Sequence, residues 1–599
     1  MDTKADTAAS PVAPSSARAR VNRLRTADGG RVLAIALIVG YLLQVGYRLL
    51  LTIPMSFPTV SPDEGTYLVL SRVLAGHSPT ELPAAQVIPG GYPLLISPAL
   101  RLADNATSAY HLVMLINALL NALVLPLTYV WLRRLGMAGR GSYLVATLIT
   151  LLTPVVFYSE FAMSDTVLPV LMLCWVISLH ILFSDGPLRR RCLFGAAAGL
   201  SAGYAMATHD RGGVMVAVTA VVLLAALVRR WVPRRAAGSA LLALALGVLF
   251  AELLNHYLLS RFETRPSAVA DAVLKGLSEP RLMPRTVLRF FGQIWYFSIS
   301  TWGIGGLGLA MTVARLFRRS TALPNRVLAG VVLATFVGID LAAAAALPTD
   351  HRIDDWIYAR YLSTMVPVFF AIGAVGLSHY TRRWLLRASA LTAALTATVA
   401  AVLVLLLGNR LHKGVFAPWG MPDALFLGGR MGHLSLPLTT LSACAILLCG
   451  VGAVARYGRR ALVPLAVCGL LLAVVQTAVV TASITHARMT ARHFSGPGFQ
   501  TAAGIRPGDS VVLDSGLDWY LLKAQPFEVY NGRTWSRKLI KGHAAPPAGA
   551  TVAVVPRGDQ SLPLAASWPD APAGWYPVKG IRDTDHKTGG YLVVWRHQV

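Results

Sequence analysis

Two adjacent carboxylates, Asp63 and Glu64, stand in the segment Ser61-Pro62-Asp63-Glu64-Gly65-Thr66-Tyr67, directly after the first long apolar run. If that end of the run faces outside, a carboxylate is held at the membrane surface, where a lipid-borne head group would be presented. The same residues also fit an ordinary helix start, with Ser61 as N-cap, Pro62 at the first helical position and Glu64 closing a capping box. A capping box accounts for Glu64 but not for Asp63, so Asp63 is the sharper candidate for chemistry. Tyr67, on the same segment, is counted with the binding candidates.

Three further groups put ionisable side chains in or beside apolar runs, where their cost makes function the default reading. Glu160 and Asp165 lie in Phe-Tyr-Ser-Glu-Phe-Ala-Met-Ser-Asp-Thr, residues 157–166, a short join between two apolar runs. Ser164 and Asp165 equally fit a helix start, where a carboxylate meets the positive end of the dipole. The turn Thr208-His209-Asp210-Arg211-Gly212-Gly213 carries an arginine whose planar fork suits phosphate oxygens, with two glycines that allow close backbone approach. A surface pair of Asp210 with Arg211 is the plainer alternative, and His209 alone is thin support for a metal. The last group runs from Asp350-His351-Arg352 through Asp354-Asp355-Trp356-Ile357-Tyr358-Ala359-Arg360-Tyr361 into another apolar run. Arg360 could hold a lipid phosphate there while Tyr358 and Tyr361 anchor in the interface; anchoring without a ligand is the alternative. Asp354 and Asp355 could bind a metal, although adjacent acids in a wet loop are commonly just solvated.

The elements that must position these residues are membrane helices. The chain of 599 residues is 55% hydrophobic and 14% charged, with a mean hydropathy of +0.56, far too apolar for a soluble protein of that size. A bilayer core needs roughly 20 apolar residues per helix, and about 13 such runs are present. They fall near residues 32–53, 110–132, 141–159, 163–183, 192–208, 212–228, 236–259, 290–317, 326–347, 361–379, 384–407, 437–455 and 461–484. The net charge of +26 comes from short Lys and Arg clusters between the runs. With the N-terminus cytoplasmic, every one of these clusters lands inside, so the basicity reads as topology and not as a nucleic-acid surface. The four candidate groups then share the outer side.

Residues 1–31 read as a disordered cytoplasmic tail, 32–485 as the membrane domain, and 486–599 as a small extracytoplasmic α/β domain with strand-like runs Ser-Val-Val-Leu-Asp, Thr-Val-Ala-Val-Val-Pro and Tyr-Leu-Val-Val-Trp. Residues 267–289 read as an interfacial helix. Five cysteines lie in or beside apolar runs without metal-ligand spacing, and are packing residues. No motif calls for a cofactor. The fold class expected is therefore a polytopic α-helical protein of the plasma membrane, multi-pass, with its N-terminus cytoplasmic and its C-terminus outside.

Taken together, Asp-Glu-Gly-Thr-Tyr after the first span, Ser-Glu-Phe-Ala-Met-Ser-Asp-Thr-Val-Leu, the Arg-Gly turn after the fifth span and the Arg-Tyr entry into a late span resemble the lipid-linked-sugar glycosyltransferases of the GT-C fold. The likeness is to the aminoarabinose transferase and protein O-mannosyltransferase branch. It implies that Asp63, with Glu64 beside it, carries catalysis, that Asp165 matches the aspartate opening the fourth span, and that Arg360 and Tyr361 match the late Arg-Tyr pair. Members of the aminoarabinose type often have Lys-Gly where this chain has Arg211-Gly212, so the charge is kept and the donor geometry changes. The partners implied are a polyprenyl-phosphate-linked sugar donor, membrane lipid, and a glycan, lipid or protein acceptor. In that scheme Asp63 removes the acceptor proton, Arg211 and Arg360 stabilise the leaving phosphate, Glu160 and Asp165 orient hydroxyls, and a single displacement inverts the anomeric centre.

Two rival readings belong to other classes. A transporter or flippase also needs many spans and buried charge, and Asp340 and Glu252 lie within spans. An assembly scaffold would use the C-terminal domain and leave Asp63 dispensable.

Overall fold

The computed structural model describes residues 16–262, 264–347, 352–490, 498–540, 542, 544–558, 561–582 and 590–598. Asp350 and His351 lie outside them. Among the described residues, eight helices are long and apolar enough to cross a membrane, and ten if the bent pairs Gly139–Leu151 with Thr153–Glu160 and Met283–Ser300 with Ile304–Phe317 each count once. The other three expected runs are Leu188–Thr208, which opens on a triple arginine, Gly212–Val228, which has 17 residues, and the second half of Leu436–Met489, which counts as one 54-residue stretch. A multi-pass membrane protein follows from this composition and from the depth of burial. Ser164–Phe183 is apolar on all sides and 89% of its apolar stretch is buried, whereas Gly30–Thr52 is 22% buried and turns Ile35, Leu42, Leu43 and Leu50 outward.

Small residues bring the helices close where no hydrophobic force acts between them. Leu188–Thr208 packs on Arg234–Leu259 so tightly that a Cβ on Gly199 would lie 2.4 Å from the Ala240 carbonyl oxygen, and one on Gly203 would lie 2.5 Å from Gly247 Cα.

Several expectations change in the structure. The 290–317 run is not one straight span, because its two helices meet at 117° across Thr301–Gly303, where Trp302 and Gly303 both take positive φ. The interfacial segment 267–289 divides into the helix Val269–Ser278 and the first part of Met283–Ser300. At the N-terminus the first helix begins at Ser16, inside the segment expected to be a tail. The last membrane helix runs on to Thr490.

The C-terminal residues form a five-stranded mixed sheet in the order Thr534–Arg537, Val511–Asp514, Val552–Arg557, Tyr591–His597, Trp575–Arg582. The first three strands run parallel, and the last two pair antiparallel. Thr534–Arg537 is short and mostly polar, and Pro577, Lys579 and Gly580 interrupt Trp575–Arg582, so neither shows a strand pattern in the sequence. Between the two leading strands, Asp518 caps the helix Trp519–Glu528 by accepting from the Tyr520 and Leu521 amides. This helix docks the C-terminal residues onto the segment that follows the first membrane helix, against Asp63–Leu74. The buried Arg72 donates to the Pro526, Val529 and Gly532 carbonyls at 3.1 Å each, and Tyr530 Oη donates to the Leu100 carbonyl. Burial away from water pushes the Arg72 guanidinium down to about 10.

Candidate active site

Each charged residue of the site stands at the N-terminal end of a helix. Asp63 is the first residue of Asp63–Leu74; Asp165 sits in the single turn Ser164–Thr166 that leads into Leu168–Phe183; Arg211 is the N-cap of Gly212–Val228; Arg360 opens the turn Arg360–Met365 that continues as Val366–His379. The prolines Pro169 and Pro367 fall in the first turns of two of these helices, where their missing N–H costs nothing. Gly212 lets the Arg211 turn fold back on its preceding helix, since a Cβ there would come within 2.1 Å of the Ala205 carbonyl carbon.

The four side chains form one ion-pair chain. Arg211 Nη2 lies 2.6 Å from Asp165 Oδ1, Arg360 Nε lies 3.6 Å from Asp165 Oδ2, and Arg360 Nη1 lies 3.1 Å from Asp63 Oδ2. Three are nearly sealed from solvent, while the Asp63 side chain is 36% exposed. The arginines are held by further contacts. Arg211 Nη1 donates to the Tyr361 carbonyl and to Thr364 Oγ1, and its guanidinium lies over the Tyr361 ring at 4.9 Å. Arg360 is ringed by Tyr358, Tyr361 and Trp419 at 5.8, 5.2 and 5.1 Å, within cation–π range. Burial pushes the Tyr358 hydroxyl well above its ordinary range.

Hydrogen bonding in this cluster is incomplete. Arg211 Nε, Arg360 Nε, Asp165 Oδ2 and Tyr158 Oη are buried and have no hydrogen-bond partner among the described residues. Such groups are costly when left unpaired. Two guanidinium groups and several helix N-termini converge here, a donor set of the kind that suits phosphate oxygens, with Asp63 and Asp165 balancing the two arginine charges.

Two flanking residues complete the frame. Tyr67 Oη hydrogen-bonds Ser164 Oγ at 2.9 Å, tying the Asp63 helix to the Asp165 turn. His209 stacks edge-on against Tyr361, and its Nδ1 accepts from the Arg211 amide at 3.2 Å. Burial and the neighbouring Arg211 hold His209 well below the usual imidazole range, so it is neutral and keeps its proton on Nε2.

Glu64 and Glu160 are not brought into this chain of charges. Glu64 is fully buried and accepts from the Thr59 and Val60 amides, the Ala162 amide and Tyr110 Oη, all between 2.7 and 2.8 Å. Its oxygens are saturated, which leaves nothing to offer a substrate. Burial raises its carboxyl from the ordinary range against the pull of those donors. The capping box is also corrected: Pro62 is the N-cap, and Glu64 reaches back to residues 59 and 60, not to Ser61. Glu160 accepts from Thr481 Oγ1 at 2.6 Å and Thr485 Oγ1 at 3.1 Å, which ties it to the last membrane helix.

The supposed surface pair of Asp210 with Arg211 does not form; Asp210 accepts from Ser267 Oγ. Asp354 pairs with Arg352, and Asp355 lies 3.9 Å from Arg289. No group of three or more metal-ligating side chains occurs among the described residues. Asp340 and Glu252 sit within the unbroken helices Leu323–Ala346 and Arg234–Leu259, Asp340 buried and Glu252 exposed.

Trp419 and Asp423 were missed in the sequence. Asp423 is buried, accepts from Tyr296 Oη at 2.9 Å and Gln476 Nε2 at 2.7 Å, and is pushed up to about 7 by burial. The signal was a lone acid in Ala-Pro-Trp-Gly-Met-Pro-Asp-Ala-Leu-Phe, an otherwise apolar stretch.

No family model and no curated protein matches the chain. Among solved structures, it is similar to ArnT from Cupriavidus metallidurans bound to undecaprenyl phosphate, with a TM-score of 0.52 and 16% identity over 95% of this chain and 98% of that one. The apo state of the same protein gives 0.51 and 19% with the same coverage. At such identity the likeness is one of fold, and the fold is that of the GT-C glycosyltransferases.

Proposed function

We propose that this GT-C chain transfers a sugar from a polyprenyl phosphate to a hydroxyl of a glycan, lipid or protein acceptor at the outer face of the membrane. One observation carries the reading: two buried arginines share Asp165, the Nε–H of each lacks a hydrogen-bond partner among the described residues, and a partly exposed carboxylate, Asp63, stands against one of them. ArnT, which has this fold, was solved with undecaprenyl phosphate, and a lipid phosphate fits the donors left over here.

The roles follow from the geometry. The donor's phosphate takes the free arginine edges and displaces the Asp63 contact to Arg360. Asp63, released toward solvent, accepts the proton of the acceptor hydroxyl as its oxygen attacks the anomeric carbon. The bond from that carbon to the phosphate oxygen breaks, and the charge left on the phosphate is stabilised by Arg211, Arg360 and the helix N-termini. Asp165 holds the two arginines at a fixed spacing. One displacement inverts the anomeric centre.

Two features favour this over transport. The polar cluster lies at one end of the helices, and Asp340 and Glu252 sit on unbroken helices, unlike the broken ones of ion-coupled carriers. The test is transfer of labelled sugar from a synthetic polyprenyl-phosphate sugar, with the product's anomeric configuration read by NMR. An inverted product supports the scheme. A retained configuration, or no transfer from any such donor, contradicts it.

A further inference from the structure

A cavity of about 390 Å³ is built between the segment that follows the first membrane helix and the C-terminal sheet. Thr80 and Glu81 line it from the first of these, Arg261 and Thr264 from the segment after Arg234–Leu259, and Arg533, Trp535 and Arg537 from the edge strand. The walls are fixed. Thr80 Oγ1 and Thr534 Oγ1 are 2.7 Å apart, Thr264 Oγ1 donates to the Ala85 carbonyl at 2.7 Å, and Glu81 accepts from the Ser536 amide.

Its charge is unbalanced. Glu81 is the one acid among the described lining residues, and it lies 4.0 Å from Arg537. Arg261 stacks on Tyr257 at 4.9 Å, and Arg533 is exposed and makes no ion pair among the described residues. Trp535 is half-buried, with part of its ring in the core of the sheet and part on the cavity.

The cavity is also tied to the site from two directions. The Ala84 amide donates to Thr66 Oγ1 at 3.0 Å, three residues along the helix that begins at Asp63. Arg265 and Pro266, which pair with Gln86 and Val87, are followed by Ser267, which donates to Asp210 next to Arg211. The segments that wall the cavity are therefore hydrogen-bonded to those that carry Asp63 and Arg211.

We infer that this cavity holds an anionic saccharide portion of the acceptor, its carboxylate or phosphate groups on Arg261, Arg533 and Arg537 and a sugar face on the Trp535 ring. Calling the ligand an acceptor rests on the transferase reading; binding does not. The test uses full-length protein in detergent and tetragalacturonate as the probe, with maltotetraose as its neutral counterpart and inorganic phosphate as competitor. Tetragalacturonate is expected to bind, maltotetraose to bind at least about tenfold more weakly, and the Arg261→Ala/Arg533→Ala and Trp535→Ala variants each to lose about tenfold. Both arginines are exposed, so the double variant should keep the wild-type unfolding midpoint, and Trp535→Phe should retain part of the affinity. Protein carrying Asp63→Asn should bind the probe as the wild type does, which reads binding apart from transfer. Equal affinity for the two saccharides, full binding by the arginine double variant, or displacement by phosphate at the saccharide's own concentration would overturn the inference.

Discussion

Asp63 and Glu64 are neighbours in sequence and opposites in structure. Glu64 accepts four hydrogen bonds in a sealed pocket, whereas Asp63 has one ion pair and a third of its side chain in solvent. The same contrast holds at larger scale. Glu64, Glu160 and Asp423 are saturated by backbone amides, threonines, tyrosines and Gln476. The set Asp63, Asp165, Arg211 and Arg360 leaves buried polar atoms without a hydrogen-bond partner among the described residues. Saturation holds a fold together; a deficit in a rigid pocket is what a ligand fills.

Substitutions can break this comparison, beginning with the carboxylate that both arginines share. Asp165→Ala strands two buried guanidiniums, and removing one partner of a buried pair costs about 3–5 kcal/mol. Both the yield of folded protein and the transfer rate should collapse, checked by size-exclusion chromatography and assay. Survival of a stable protein would show that the arginines are neutralised in another way.

Next in size is Glu64→Gln. Its amide nitrogen cannot accept, so donors among Thr59, Val60, Ala162 and Tyr110 lose their partner, at about 1–3 kcal/mol for each left unpaired. The unfolding midpoint should fall, while transfer per folded molecule stays near wild type. A large loss of transfer at unchanged stability would move Glu64 into the chemistry.

The smallest effect is a pH dependence. Asp423 is held near 7 against an ordinary value near 3.8, so the folded state favours its protonated form. Its contribution to stability is full below about pH 4 and is lost as the pH rises through about 7. Wild-type protein should therefore lose more stability between pH 5 and pH 8 than Asp423→Asn does, measured by thermal unfolding at both values. Equal losses would place the ionised form of Asp423 in the fold at both pH values.

How far the sequence reveals this depends on what each residue signals locally. Charges in apolar surroundings stand out, so Asp63, Asp165, Arg211 and Arg360 are visible one at a time, the first three beside Pro, Ser or Gly at a helix start and Arg360 ahead of an apolar run. The capping rule separated Glu64 from Asp63 for a sound reason, a structural use for the glutamate, although the amides it takes lie further back than the rule places them. The ion-pair spacing was not visible, because it joins residues up to 297 apart in sequence through tertiary packing. Nor was the saturation of Glu160, which depends on two threonines more than 300 residues away. Asp423 has no local partner to mark it, because Tyr296 and Gln476 reach it only through tertiary packing. The bend at Trp302–Gly303 was hidden by hydropathy that continues unbroken across it.

Asp63, the carboxylate that reaches solvent, does the chemistry, and its saturated neighbour Glu64 does not. The direct measurement is transfer from a polyprenyl-phosphate sugar by Asp63→Asn protein, with its unfolding midpoint recorded on the same preparation. The account predicts a loss of about 10²–10⁴-fold in rate at a midpoint matching the wild type. Transfer by Asp63→Asn within a few fold of wild type would contradict it.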